Sequence, residues 1–120
     1  MIVLKDVEAG STWFQSVLGL QSAHGGPHYE MLMHDGELVL QLHHWDIEDH
    51  PLFGDPDGPT GNGSLLWFAT DDWDALLSRV EKTRTTVLEG PLFNQNASHN
   101  EVWLEGPDGY VVVVNGPRHP

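Results

Sequence analysis

Cysteine is absent from the chain, and basic residues are scarce. Without cysteine there is no disulfide framework, no thiolate nucleophile and no cysteine-based metal site. Only 5 lysines and arginines accompany 18 acidic residues, and the resulting net charge of −13 repels phosphate backbones, so we expect no nucleic-acid partner. No apolar run of about 18 residues occurs, so we expect no membrane-spanning helix. The N-terminus has no signal-peptide apolar segment, and we expect a cytoplasmic location.

The two halves of the chain follow the same plan. Asp6 is predicted to cap one helix, and Asp71 or Asp72 another. The first turn of each helix holds another acidic residue and an alanine. Each helix precedes short segments of alternating apolar residues, and the last segment of each half follows an Asp-Gly turn, at Asp35 and at Asp108. Because the period is long, the pattern predicts two copies of one unit in the order strand, helix and three strands.

The repeat also predicts the organisation of the chain. Residues 1–120 are expected to form one domain, with a first module at about 1–43, a proline-rich loop at 44–62 and a second module at about 63–116. The first helix is predicted from about Val7 to Leu18, and the second runs from its cap at Asp71 or Asp72 to about Lys82. The strands are predicted at 2–4, 20–24, 28–34, 37–43, 64–70, 86–88, 101–105 and 110–114, with a polar loop at 90–100.

Several segments together resemble the glyoxalase/bleomycin-resistance family, also called the vicinal oxygen chelate superfamily. They are Asp6-Val7-Glu8-Ala9 with Trp13-Phe14, Val17-Leu18-Gly19-Leu20, Phe68-Ala69-Thr70-Asp71-Asp72-Trp73-Asp74-Ala75-Leu76 and Gly106-Pro107-Asp108-Gly109-Tyr110. The resemblance implies an α+β fold in which two βαβββ modules form a curved mixed sheet around a cavity, with the helices outside. It also implies a homodimer. Such a resemblance determines the fold far better than the activity.

The resemblance also indicates where a metal would bind. Metalloenzymes of this superfamily place ligands on strands 1, 4, 5 and 8. The first position would precede Met1, and the others correspond to Gln41, Leu65 and Val113. Leucine and valine cannot donate to a metal, and one neutral glutamine is a poor ligand set. We therefore expect no metal and no cofactor, which favours the metal-free, bleomycin-resistance-like branch.

Eight histidines keep a nonstandard metal site open as an alternative. His43-His44 begins the long loop, and the segment 43–50 also contains acidic residues and His50. Adjacent residues of a strand point to opposite faces, so His43 and His44 are not expected to bind one ion together. The simpler interpretation is that these imidazoles are solvated or satisfied in the core.

Strand alternation separates the residues that pack on helices from those that line the cavity. The helix-packing faces are predicted to carry Leu38, Leu40, Leu42, Phe68, Val102 and Leu104. The cavity faces are predicted to carry the candidate ligand-binding residues Gln41, His43, Trp67, Glu101 and Trp103. Two tryptophans and a histidine on cavity-side faces would make an aromatic wall for a ligand. The alternative is that Trp67 and Trp103 simply fill space.

Three functions are consistent with these residues. The first is metal-independent binding of a small organic molecule, aromatic or cationic, as in drug sequestration. The second is an enzyme, either a lyase or isomerase that uses His43 and Glu101 without metal, or a dioxygenase-like metalloenzyme with rewired ligands. His99 would join Glu101 as an acid–base pair if the two side chains converge. The third is a ligand-responsive interaction partner that uses the loop 44–62.

Overall fold

The computed structural model describes residues 1–119, which form two compact units. Met1–Pro59 is called the first module below, and Thr60–Pro120 the second. The elements of the first module are β1 (Ile2–Leu4), α1 (Val7–Leu18), β2 (Gln21–Ser22), β3 (Tyr29–His34) and β4 (Glu37–His44). Those of the second are β5 (Leu66–Ala69), α2 (Trp73–Lys82), β6 (Val87–Asn94), β7 (His99–Glu105) and β8 (Val111–Asn115).

Each module contains a four-stranded mixed sheet. The strand order is β1-β4-β3-β2 in the first module and β5-β8-β7-β6 in the second. The first strand of each module pairs in parallel with the last, and all other pairs are antiparallel. The predicted α+β class and the βαβββ order of both halves are confirmed. Within the described residues, no helix is long and apolar enough to cross a membrane.

Both helices begin where the sequence predicts. The side chain of Asp6 accepts a hydrogen bond from the Ala9 amide at 2.9 Å, and that of Asp72 accepts one from the Ala75 amide at 3.0 Å. Each bond satisfies an amide of the first helical turn that has no partner within the helix. Gly19 then ends α1 with a φ of 72°, a conformation that a residue with a side chain adopts only at a cost.

A bulge in β4 turns Leu38 away from the helix. Leu32 pairs with Leu40, but the next residue, Met33, pairs with Leu38, so Val39 is the extra residue. Paired residues share a face of the sheet, and Leu38 therefore lies with Met33 on the face away from α1, 46% exposed. The prediction that Leu38 packs on the helix beside Leu40 is wrong, because the bulge reverses the alternation between them.

The hairpin between β6 and β7 is longer than predicted. β6 extends to Asn94 and β7 begins at His99, so most of the segment 90–100 is strand rather than polar loop, and that prediction is wrong. Gly90-Pro91 ordinarily ends a strand. β6, however, is the edge of its sheet, where proline's missing N–H can be tolerated, and two register shifts in β6 absorb the irregularity.

Candidate functional site

Each sheet has one face toward its helix and one away from it, called the distal face below. In the second module, Val80 of α2 and Val102 of β7 line the same groove, which identifies the helix face. The distal face carries a row across three strands, in which Trp67 and Trp103 both pair with Val113. Because strand residues alternate between faces, both tryptophans lie on the face opposite Val102.

The two indoles cover a buried aliphatic residue. Their ring centroids are 6.2 Å apart and their planes are inclined at 77°, an edge-to-face arrangement. Val113 has no exposed surface, whereas 45% of Trp67 is exposed. The distal face therefore offers an accessible aromatic surface on Trp67, backed by a packed interior.

Glu101 is the polar centre of this face. Its carboxylate accepts hydrogen bonds from Trp103 Nε1 at 3.1 Å and from His99 Nε2 at 2.9 Å. The Asn94 amide nitrogen lies 3.2 Å from both carboxylate oxygens, and the carbonyl of the same amide accepts from two backbone amides of the β6–β7 turn. Only 4% of the Glu101 side chain is exposed. The turn, the tryptophan and the histidine therefore all hold one buried carboxylate in place.

The electrostatics of the site determine where the proton lies on His99. Burial alone would raise the pKa of Glu101, but hydrogen bonds from Trp103, His99 and Asn94, together with the charge of His99, lower it overall. An ionised carboxylate can only accept hydrogen bonds, so Nε2 of His99 must carry hydrogen and donate. In the neutral imidazole, Nδ1 is then the acceptor.

Trp67 orients a second polar side chain. Its Nε1 donates to Oδ1 of Asn115 at 2.8 Å, and Asn115 pairs with Glu101 across the neighbouring strand. The Trp67 ring also lies 6.0 Å from the ring of His99. The sequence patterns did not point to Asn94 or Asn115, and they pointed to His99 only in the enzyme hypothesis. His99 alternates with residues 101 and 103 and so shares their face. That signal was hard to see because the residues around His99 are polar and predict a loop.

Gln41 and His43 belong to the first module, on the distal face of its sheet. Gln41 pairs with Met31, and His43 pairs with Tyr29 and Val3. Both are half-buried. The structure thus groups the five predicted ligand-binding residues by module, with Trp67, Glu101 and Trp103 in contact with one another in the second.

Histidine rings cluster around His43 in the first module. The ring of His44 stacks on it at 5.3 Å with 21° between the planes, and those of His50 and Phe53 lie 5.4 and 5.2 Å away. His28 in turn lies 4.7 Å from His44. The two rings therefore do not diverge as strand alternation predicts. Even so, no three potential metal-ligating side chains within residues 1–119 are arranged to hold an ion.

The metal site implied by the superfamily does not fit this chain. At the position on β8 the side chain is Val113, which is aliphatic and fully buried beneath the indoles. Leu65, directly before β5, is also aliphatic. Neither residue has an atom that can coordinate a divalent ion. Gln41 remains as one neutral donor.

A second buried carboxylate, Glu30, lies under α1 in the first module. It accepts hydrogen bonds from the hydroxyls of Ser11 and Ser22, both at 2.7 Å, and from the backbone amides of His24, Gly25 and Met31. Burial opposes the charge, but these bonds outweigh it and lower the pKa from 4.5 to about 2. Sequence analysis did not identify this residue, which ties α1 to β2 and to the turn before β3.

A groove of about 320 Å³ lies on the helix face of the second module. Its lining is mostly aliphatic, with a glutamate from the last turn of α2 and an arginine just after the helix. It comprises Leu77, Val80, Glu81, Arg84, Thr85, Val87, Pro91 and Val102. The residues of the distal face that contact one another are called the Trp67–Glu101 cluster below. They are Trp67, Asn94, His99, Glu101, Trp103 and Asn115, and none of them lines the groove. The cluster, rather than the groove, combines aromatic surface with fixed polar groups, and it is therefore the candidate site.

Comparison with known proteins agrees with the two-module architecture. The model of the Glyoxalase/Bleomycin resistance protein/Dioxygenase superfamily matches residues 1–114. A glyoxalase/bleomycin resistance protein/dioxygenase family enzyme from Burkholderia phytofirmans PsJN has a TM-score of 0.72 at 20% identity, over 96% of this chain and 93% of that chain. An integron cassette protein from V. cholerae has a TM-score of 0.71 at 21% identity, over 96% and 89%.

A possible glyoxalase from Bacillus cereus is similar as well, with a TM-score of 0.67 at 15% identity over 95% of this chain and 92% of that chain. Identities this low establish a shared fold and leave the chemistry of the site to be argued from its own residues. Curated protein sequences gave no significant match.

Proposed function

Since the chain belongs to the glyoxalase/bleomycin resistance protein/dioxygenase superfamily, we propose that it is a metal-independent binding protein for a small organic molecule. The ligand would stack on Trp67, on the distal face of the second module. The observation that carries the proposal is the half-exposed indole of Trp67 beside a network of oriented polar groups. Binding sites commonly combine such an aromatic surface with a few fixed hydrogen-bonding groups.

Two features support an aromatic or cationic ligand. The faces of tryptophan rings attract both flat aromatic groups and organic cations. The net charge of −13 would raise the local concentration of cations around the protein. Metal independence is supported by the aliphatic side chains of Leu65 and Val113. For the first module, Gln41 and His43 stay predictions as ligand-binding residues of its own distal face.

The proposal is tested by titrating the protein with neutral and cationic aromatic compounds, followed by tryptophan fluorescence and calorimetry. Binding should be saturable and should survive removal of divalent ions with a chelator. Trp67→Ala should weaken it by about 1–3 kcal/mol, the usual loss for a central aromatic anchor.

Val87→Ala is the matched control. Val87 is also an exposed apolar residue of the second sheet, 41% accessible, but it pairs with the core residue Leu104 and lines the groove on the helix face. This variant should bind normally. Equal losses in both variants would place the ligand elsewhere, and a stoichiometric metal required for binding would contradict metal independence.

A further inference from the structure

On the distal face, His99 and Asn115 each have one polar side-chain atom held by a hydrogen bond and a second that remains open to a ligand. His99 is held through Nε2 by Glu101, and Asn115 is held through Oδ1 by Trp67. Within residues 1–119, Nδ1 of His99 and Nδ2 of Asn115 have no hydrogen-bond partner. No unpaired polar side-chain atom in this part of the chain is fully buried, so both nitrogens keep some contact with solvent, and 14% of the His99 side chain is exposed. The acceptor nitrogen of His99 and the donor nitrogen of Asn115 therefore both belong to side chains next to the indole of Trp67.

We propose that this face is a metal-free proton-transfer site, in which His99 Nδ1 is the general base and the Asn115 amide binds a developing oxyanion. The substrate class is a neutral carbonyl compound with an acidic C–H next to the carbonyl and an aromatic group that stacks on Trp67. The inference rests on the binding site proposed above and assigns it an activity.

The step is balanced without any further reactant. Nδ1 of His99 takes the proton from carbon, and the electron pair of the broken C–H bond forms the C=C bond of an enolate. The carbonyl oxygen takes up the negative charge and accepts a hydrogen bond from Asn115 Nδ2. The imidazolium then returns a proton to carbon. If its Nδ1 proton has first exchanged with solvent water, the result is hydrogen exchange, and if the proton returns to a different carbon, the result is an isomer.

The geometry assigns the base to His99 rather than to Glu101. The carboxylate of Glu101 is engaged by three side chains and only 4% exposed, so a substrate proton cannot reach a free oxygen. Glu101 is therefore a positioning residue that fixes the tautomer and orientation of the imidazole. Imidazole is the side chain most often used as a general base near neutral pH. The rings of His99 and Trp67 are 6.0 Å apart, so a ligand stacked on the indole would lie next to the imidazole.

The first test needs no substrate. In ¹⁵N-labelled protein at basic pH, long-range ¹H–¹⁵N spectra should show the ring proton on Nε2 and an unprotonated Nδ1. Glu101→Gln should reduce the preference for this tautomer, whereas Glu105→Gln, an exposed glutamate of the same strand, should not. A proton on Nδ1 in the unaltered protein would overturn the assignment of the base.

The second test measures exchange of the benzylic protons of phenylacetone and 2-tetralone in D₂O by ¹H NMR. The protein should accelerate exchange, and His99→Gln should lose about 100-fold or more of the rate, the usual contribution of a general base. Glutamine retains an N–H that can donate to Glu101 but has no basic nitrogen. Imidazole added to His99→Ala should restore exchange, which a purely structural role for His99 would not allow. Val87→Ala should exchange at the normal rate.

The outcomes separate the two proposals. If these ketones quench tryptophan fluorescence saturably but do not exchange, the proton-transfer site is overturned and the binding site stands. If neither these ketones nor the aromatic compounds of the binding test bind, both proposals are overturned. If exchange is equally fast in His99→Gln, His99 is not the base.

Discussion

Glu30 and Glu101 are buried carboxylates on equivalent strands of the two modules, β3 and β7, but they point to opposite faces. Glu30 pairs with Leu42 on the helix face, where its hydrogen bonds connect the helix with the sheet. Glu101 pairs with Asn115 on the distal face, where its hydrogen bonds orient His99. Successive residues of a strand point to opposite faces. A shift of one residue along the strand therefore moves a glutamate from the helix face, where it has a structural role, to the distal face, where it belongs to the site.

At the scale of this residue, Glu30 should control how stability depends on pH. Its folded-state pKa of about 2 lies below the ordinary 4.5, so on acidification the unfolded chain takes up the proton first. The contribution to the free energy of unfolding is fully present above about pH 5 and is lost as the pH falls toward 2, amounting to about 3 kcal/mol. Urea unfolding of Glu30→Gln between pH 7 and 3 should lack this part of the pH dependence.

Glu37→Gln is the matched control, since Glu37 begins the neighbouring strand and is exposed. Its unfolding should keep the pH dependence of the unaltered protein. The role assigned to Glu30 would be contradicted if Glu30→Gln were as stable at pH 7 as Glu37→Gln and lost stability equally on acidification.

At the scale of the element, β6 depends on Gly90 for its path beside β7. Gly90 has a φ of +87°, and a Cβ there would lie 2.8 Å from the carbonyl oxygen of Glu101. Gly90→Ala should therefore combine backbone strain with a steric clash against the strand that carries the site. We expect the clash to add about 1–3 kcal/mol to the loss in the free energy of unfolding.

Gly109→Ala isolates that clash. Gly109 has a similar φ of +82°, but nothing lies within 4 Å of a Cβ placed there. Its substitution should cost only the strain of a left-handed alanine, about 1–2 kcal/mol. Equal losses for the two variants in urea unfolding would show that β6 can move away from Glu101.

The elements were predictable from the sequence wherever a local signal determines them. Asp6 and Asp72 cap helices through their own side chains, and Asp35-Gly36 has the two positive φ values, 49° and 80°, that its hairpin turn requires. The bulge at Val39 and the continuation of β6 beyond Gly90-Pro91 depend on pairing with distant strands. Neither has a local signature, so alternation failed there.

The candidate site was predictable to the same extent. Trp67, Glu101 and Trp103 were placed on one face by alternation within single strands. Asn94 and Asn115 reach Glu101 and Trp67 only through the pairing of β6 with β7 and of β5 with β8. Contacts across strands are set by register, which the sequence of one strand does not contain.

At the scale of the whole molecule, we expect a homodimer in dilute solution. The superfamily resemblance implies one, and the small size of the chain limits the core that it can build alone. Exposed aliphatic residues support the proposal, among them Leu38 at 46%, Val87 at 41% and Leu88 at 51%. Light scattering at micromolar concentration should give twice the chain mass of 13.4 kDa.

An interface of this kind should bury more than about 1,000 Å² in total. Leu38→Ser and Leu88→Ser, each an exposed residue in a different module, should identify the surface that takes part by shifting the equilibrium toward the monomer. A mass of 13.4 kDa at all concentrations tested would rule the dimer out.

The parallel pairing that closes each sheet has a consequence for the order of folding in time. β1 pairs with the end of β4, joining Ile2 to Leu42, whereas the β3–β4 hairpin needs only the two-residue turn at Asp35-Gly36. Ordering a long loop costs entropy before its contacts form, so the hairpin should be present in the transition state and the first strand should dock later. Leu32→Ala should then mainly slow folding, and Ile2→Ala mainly speed unfolding, in stopped-flow measurements. The reverse pattern would mean that the chain closes its ends before it forms its turns.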